Sequence, residues 1–298
     1  MTDPQTRCGF LAVIGLPNAG KSTLINTLVG SKVSIVSAKA QTTRTRVLGI
    51  LTYEQTQIIL IDTPGIFDAQ KTLERAMVTV AFDALEESDS ILHIVDASQK
   101  SAVARNTELV KKLPRNKPVV LILNKVDQVN KPDLLDFSSA MNSVFPYQAT
   151  FMISALKNKG TEGLLNHTAR MLPEGPWMFD PEEMTDMPMR MMAAEMTREK
   201  ICNQLHHELP HATLVLTESW EPFENGSIKI DQVIIVQRES QKAIVVGKGG
   251  NRIKQIGQEA RQDMEALFDL RIHLKLFVKV DPQWNEKPEN LKLLGLIR

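Results

Sequence analysis

A chain of 298 residues is long enough for about two domains, each with its own core, and 43% hydrophobic with 23% charged residues are ordinary globular values. Thirty-five basic residues balance 35 acidic ones, but the zero net charge hides two stretches without any acid, 31 to 50 and 242 to 254. The absence of an 18-residue apolar run excludes a spanning helix, the N-terminus lacks a signal-peptide layout, and Cys8 and Cys202 are too far apart for a disulfide framework, so a cytoplasmic protein is expected.

The first apolar run, Phe10 to Ile14, leads directly into Gly15-Leu16-Pro17-Asn18-Ala19-Gly20-Lys21-Ser22, the spacing of a phosphate-binding loop. In such a loop backbone N–H groups point at a β-phosphate, the lysine bridges β- and γ-phosphates, and the hydroxyl of Ser22 serves Mg²⁺. Gly15, Asn18, Ala19, Gly20, Lys21, Ser22 and Thr23 are therefore candidate phosphate contacts. Lys21 to Val29 reads as a helix with Leu24, Ile25 and Leu28 on one face and Gly30 as its C-cap.

Val47 to Tyr53 reads as an extra strand pairing antiparallel with Ile58 to Ile61. The latter run ends on Asp62-Thr63-Pro64-Gly65, where an α/β sheet places ligand contacts. Asp62 would hold Mg²⁺ through water, and the Gly65 N–H would meet a γ-phosphate oxygen. Helices are expected over Leu73 to Leu85 and Leu134 to Val144, with apolar strands at 90 to 95, 119 to 123 and 150 to 153. After the fourth run comes Asn124-Lys125-Val126-Asp127, whose Asp carboxylate can accept the N1–H and N2 amine of guanine; adenine would leave it unpaired. After the fifth, Ser154-Ala155-Leu156-Lys157 would offer the Ala155 N–H to guanine O6. The ligand expected is GTP or GDP, not ATP.

The alternation predicts an α/β phosphate-loop domain over 1–172, its sheet mainly parallel and mixed at one edge. Four prolines within 173–188 predict a linker. An α+β domain with a C-terminal tail follows over 189–298: a helix over Met189 to Leu209, strands at Thr213 to Trp220 and Ser227 to Val236, a helix over Asn251 to Phe268 and a strand from Leu270 to Val280. Methionines 184, 187, 189, 191, 192 and 196 are expected in the core. Gly247-Lys248-Gly249-Gly250 opens the second helix, with Arg252 and Lys254 just beyond, a pattern suited to close approach of a sugar-phosphate backbone.

Over residues 10 to 172 these motifs resemble the translation-factor-related GTPases. The resemblance implies a mobile threonine that caps Mg²⁺ when the γ-phosphate is present, either Thr43 or Thr42 of Gln41-Thr42-Thr43-Arg44, with Thr43 favoured. Ras-like switches carry a glutamine where this chain has Ile66, and an aliphatic side chain cannot orient water, so slow intrinsic hydrolysis is expected. Related GTPases with the phosphate-loop asparagine use it to ligate K⁺, which makes Asn18 a candidate K⁺ ligand; the alternative is that Asn18 stabilises the turn. Lys21, Thr43, Gly65 and Asn18 are the candidate catalytic residues, and Ser22, Thr43 and Asp62 the candidate Mg²⁺ set.

The second half resembles a type II K-homology (KH) domain, whose Gly-x-x-Gly loop clamps nucleic-acid backbone. Its candidate RNA contacts are Gly247, Lys248, Gly249, Gly250, Arg252 and Lys254. A GTPase domain joined to such a KH domain is the layout of the bacterial Era family, most specifically in Lys39 to Arg44 and Gly247 to Lys254. The resemblance implies binding near the 3′ end of 16S ribosomal RNA, action as a monomer in assembly of the small (30S) ribosomal subunit, and possible peripheral contact with the inner membrane. The competing reading is a membrane-associated signalling GTPase whose basic C-terminal domain docks on anionic lipid.

Overall fold

The computed structural model describes residues 6–39, 41–67, 69–99, 101–205 and 212–297. Ala40 of the Lys39 to Arg44 stretch lies outside the described residues; the helix expected to reach Leu209 ends at Gln204, where Leu205 turns extended (φ −105°, ψ 150°), and 206–209 lie outside the described residues. Two compact units separate: one holds the described residues through Ser34 together with Thr43–Asp186, the other holds Ile35–Thr42 and the chain from Met187 onward.

The first unit contains β1 (Arg7–Ile14), α1 (Lys21–Val29), β2 (Val47–Tyr53), β3 (Thr56–Asp62), α2 (Thr72–Glu87), β4 (Ser90–Asp96), α3 (Ala102–Val110), β5 (Val119–Asn124), α4 (Lys131–Val144), β6 (Ala149–Met152) and α5 (Thr161–Met171). Its sheet runs β2-β3-β1-β4-β5-β6, parallel except for the antiparallel pairing of β2 with β3. The strands read as continuous apolar runs because both faces are covered. Leu11 and Val13 pack with Leu24, Ile25 and Leu164 on one face, and Ala12 and Ile14 with Ala81, Leu85 and Leu109 on the other. Helix α3 escaped the sequence reading because polar contacts help to hold it. Its buried Asn106 meets His93 Nε2 of β4 at 2.9 Å, a bond that leaves no trace in hydrophobic spacing.

The proline-rich stretch after α5 is strapped along the first unit. Pro173 O accepts from Cys8 N at 3.2 Å and Gly175 N donates to Thr6 O at 3.0 Å. Gln57, fully buried in β3, accepts from Met178 N (2.8 Å) and Phe179 N (3.0 Å) and donates to Phe179 O (2.9 Å). Further on, Met184 O and Asp186 Oδ1 accept from Ile50 N (2.8 Å) and Leu48 N (3.1 Å), which covers the edge of β2.

The second unit contains α6 (Met189–Gln204), β7 (Leu214–Pro222), β8 (Ile228–Val236), α7 (Glu239–Val246), α8 (Asn251–Phe268), β9 (Ile272–Val280) and α9 (Pro288–Leu293). The sheet order is β7-β8-β9, antiparallel then parallel. Met192 and Met196 pack with Ile230, Ala260 and Met264 as expected. Met189 (45% exposed) and Met184 (48% exposed) do not, because Met189 opens α6 ahead of its buried stretch from Met192 to Cys202 and Met184 belongs to the strap.

Candidate nucleotide site and nucleic-acid groove

Strand β1 ends at Ile14 and the next six residues wrap the N-terminus of α1. Gly15 and Gly20 are required there: a Cβ on Gly15 would lie 2.3 Å from Ile94 O, and one on Gly20, whose φ is 102°, 2.3 Å from Asn124 Nδ2. Asn18 is exposed at the loop tip with a left-handed φ of 63°. No side chain caps α1 at Gly20. The first N–H groups of the helix, those of Ser22 and Thr23 among them, therefore have no capping oxygen and suit an anion.

Lys21 is 8% exposed, and its ammonium reaches Gly15 O (3.2 Å) and Leu16 O (3.3 Å). Burial pushes its pKa down to about 8 although Asp62 opposes this, the direction expected for an ammonium taken out of water. Gly65 stands beside it: a Cβ there would be 3.5 Å from Lys21 Nζ. Ile66, next in the chain, is 4% exposed and packs with Ala12, Ile14 and Ala81. It is a core residue and offers nothing to a water molecule.

Asp62 is wholly buried at the end of β3. Its Oδ2 accepts from Ser22 Oγ (2.7 Å), Ser34 Oγ (2.6 Å) and Thr43 Oγ1 (3.3 Å), while its buried Oδ1 has no hydrogen-bond partner. Burial raises the Asp62 carboxyl above its ordinary range despite these donors and Lys21. An orphaned carboxylate oxygen beside two hydroxyls 2.9 Å apart, Ser22 Oγ and Thr43 Oγ1, is an all-oxygen set that fits Mg²⁺. Thr42 faces elsewhere, bonding Lys39 O and Ser37 Oγ at 2.7 Å. Ser34 was missed by sequence reasoning, since no motif spacing marks it.

At the other end of the site, Asn124 is a strut. Its Nδ2 donates to Ala19 O of the phosphate loop (2.8 Å) and its Oδ1 accepts from Ala155 N (3.0 Å). The Ala155 N–H assigned to guanine O6 is thus shared with Asn124. Lys125, at a left-handed φ of 63°, pairs with Asp96 at 2.7 Å, a partner the motifs did not reveal. Asp127 sits in a single 3₁₀ turn, Val126–Gln128, where hydrogen bonds from Ser154 and then Lys157 hold its carboxyl below the usual range. Leu156 is 81% exposed and marks the outer wall.

In the second unit, Gly247, Gly249 and Gly250 have φ of 72°, 61° and 77°. A Cβ on Gly247 would lie 2.7 Å from Arg252 Cβ, whereas those on Gly249 and Gly250 would meet nothing within 4 Å, so the turn presents bare backbone outward. Helix α8 begins at Asn251 without a side-chain cap. Lys248, Arg252 and Lys254 are exposed around it. Between α8 and β9 runs a groove of about 270 Å³ lined by Ile253, Lys254, Gly257, Gln258, Arg261, Leu274 and Leu276. Gln258 and Arg261 had no signal in the sequence pattern; they lie one and two turns beyond Lys254 on the same helical face.

A phosphate loop with a second, KH-type unit defines a GTPase joined to an RNA-binding module. Residues 10–125 match the family model described as 50S ribosome-binding GTPase, and residues 208–285 match that of the KH domain. The GTPase Era of Sinorhizobium medicae (strain WSM419) is 48% identical over 291 residues, 98% of this chain and 94% of its own. That of Rhizobium meliloti (strain 1021) is 47% identical over 307 residues, 99% of this chain and 97% of its own. A crystal structure of Era in complex with MgGDPNP and nucleotides 1506-1542 of 16S ribosomal RNA has a TM-score of 0.94 at 38% identity and covers 98% of this chain and 100% of that one. The chain belongs to the Era family of GTPases. Hydrolysis of GTP to GDP and phosphate is its reaction.

Proposed function

We propose that the chain is a GTP-driven switch that binds the 3′ end of 16S ribosomal RNA and acts in maturation of the small ribosomal subunit. The observation that carries the RNA half is the bare Gly247 to Gly250 turn opening onto the α8–β9 groove: backbone would lie on the turn while bases enter a slot with apolar floor and polar rim. The related Era structure that contains such RNA supports the same reading. Crosslinking the protein to RNA in cells and sequencing the bound fragments tests it. Fragments should concentrate at the 3′ end of 16S ribosomal RNA, and a spread without enrichment there would remove the assignment.

For hydrolysis, Lys21 would bridge the β- and γ-phosphates, the uncapped start of α1 would hold the β-phosphate, and the Gly65 N–H would face the γ-phosphate during in-line attack by water. Ser22 and Thr43 would hold Mg²⁺ directly and Asp62 through water; when bound, the ion neutralises charge developing on the phosphate oxygens. With Ile66 buried, alignment must come from elsewhere, and Asn18, exposed at the loop tip, would ligate K⁺. Turnover in K⁺ should exceed that in Na⁺ by about tenfold or more, the scale of one added charge-stabilising contact; equal rates would leave Asn18 as a turn residue.

The link between nucleotide and RNA would run through the segment before Thr43. Ile35–Thr42 sorts with the second unit, where Glu199 Oε1 accepts from Val36 N at 2.8 Å and buried Arg198 donates to Thr42 O while pairing with Glu195. Thr43 itself reaches Ser22 and Asp62 in the first unit. Capture of Mg²⁺ by Thr43 would therefore pull on a segment bonded to α6 at Val36 and Thr42.

A further inference from the structure

We propose that Ser34, held in place by Asn26, is a positioning residue of the Mg²⁺ site: its hydroxyl fixes the Asp62 carboxylate so that Oδ1 is left for a cation-bound water. The inference rests on the Mg²⁺ reading of Ser22, Thr43 and Asp62 given above.

Of the three hydroxyls on Asp62 Oδ2, that of Ser34 is the nearest, at 2.6 Å against 2.7 Å for Ser22 and 3.3 Å for Thr43. Ser22 and Thr43 each have a second task as direct ligands. Ser34 has none, so its contribution goes entirely to the orientation of Asp62. It is 3% exposed, and its backbone is held on both sides by one side chain of α1. Asn26 Nδ2 donates to Ser34 O at 2.8 Å, and Asn26 Oδ1 accepts from Val33 N and Ser34 N at 3.0 Å each. An amide side chain engaged in three bonds to two successive residues leaves that turn little freedom. The result is a strut from the helix that begins at the phosphate loop, through Ser34, to the carboxylate that ends β3.

A separate observation agrees: the first compact unit ends at Ser34, and the chain rejoins it only at Thr43. Asn26 and Ser34 therefore mark the fixed base of the loop whose far end carries the switch threonine. Groups that orient a metal's surroundings without touching it change metal affinity by about 10- to 100-fold when removed.

The test uses the full chain loaded with a fluorescent GTP analogue that resists hydrolysis, with nucleotide release followed while free Mg²⁺ is set by EDTA buffering. Ser34→Ala should need about tenfold more Mg²⁺ for half-maximal retention, with retention at saturating Mg²⁺ equal to that of the parent. Asn26→Ala should shift the requirement the same way, and Ser34→Thr should restore it. Thermal unfolding without Mg²⁺ identifies a variant that has lost its fold, and Asn26→Ala then carries the test. An unchanged Mg²⁺ requirement in Ser34→Ala would overturn the inference. Retention independent of Mg²⁺ in the parent would instead overturn the cation site itself.

Discussion

Asp127→Asn is expected to reverse the nucleotide preference, from GTP to xanthosine triphosphate. Guanine presents two donors, N1–H and the N2 amine, and a carboxylate accepts both; an amide places an N–H against one of them. Losing one hydrogen bond to a charged acceptor and leaving that donor against an N–H costs about 3 kcal/mol, on the order of a hundredfold in affinity. Xanthine carries a carbonyl in place of the amine, which the new amide can donate to. Ser154 and Lys157 already hold the Asp127 carboxyl ionised, so its electrostatics are set before any ligand binds. Competition between the two triphosphates for parent and variant reads the exchange directly, and a variant that kept its preference for GTP would remove Asp127 from the base site.

Replacing Lys248 and Gly249 together with Asp should abolish RNA binding and leave GTP affinity unchanged. One change reverses a charge at the turn. The other adds a second negative group at a position with φ 61°, where a Cβ meets nothing within 4 Å and the carboxylate would project into the path of a phosphate backbone. The site would lose about one favourable phosphate contact and gain two repulsive charges, enough to reduce affinity by about a hundredfold or more at moderate salt. Filter binding to an RNA carrying the 3′ end of 16S ribosomal RNA, run beside GTP binding, separates the two activities; retained RNA affinity would exclude the turn as the clamp.

What could be read from the sequence was whatever depends on local spacing. The strand, loop and helix over 10 to 29 were legible because apolar alternation, glycine and lysine occupy fixed offsets, and α8 was legible from Gly250 to Phe268 for the same reason. The residues that join motifs to one another were not. Asn26 bonds the backbone of Ser34, the Ser34 hydroxyl bonds the Asp62 carboxylate, and Gln57 bonds the backbone of the strap 121 residues on; polar side-chain bonds of this kind leave no period behind. Asn124 was found, but only as a guanine contact; its bond to Ala19, 105 residues earlier, is visible only in three dimensions. The methionine run divides: Met192 and Met196 lie in the core as composition suggested, whereas Met184 and Met189 precede the buried stretch of α6, a boundary that composition does not mark.

The strap also turns an expected spacer into a part of the first unit. Left free, the 16 residues 173–188 with their four prolines would be an extended, semi-rigid spacer. Once bonds as far as Asp186 are made, only Met187 and Pro188 precede α6, a reach of about 7 Å. The stretch through Asp186 therefore belongs to the fold of the first unit, and an insertion within it would be felt as lost stability of that unit's β2 edge, not as a longer spacer.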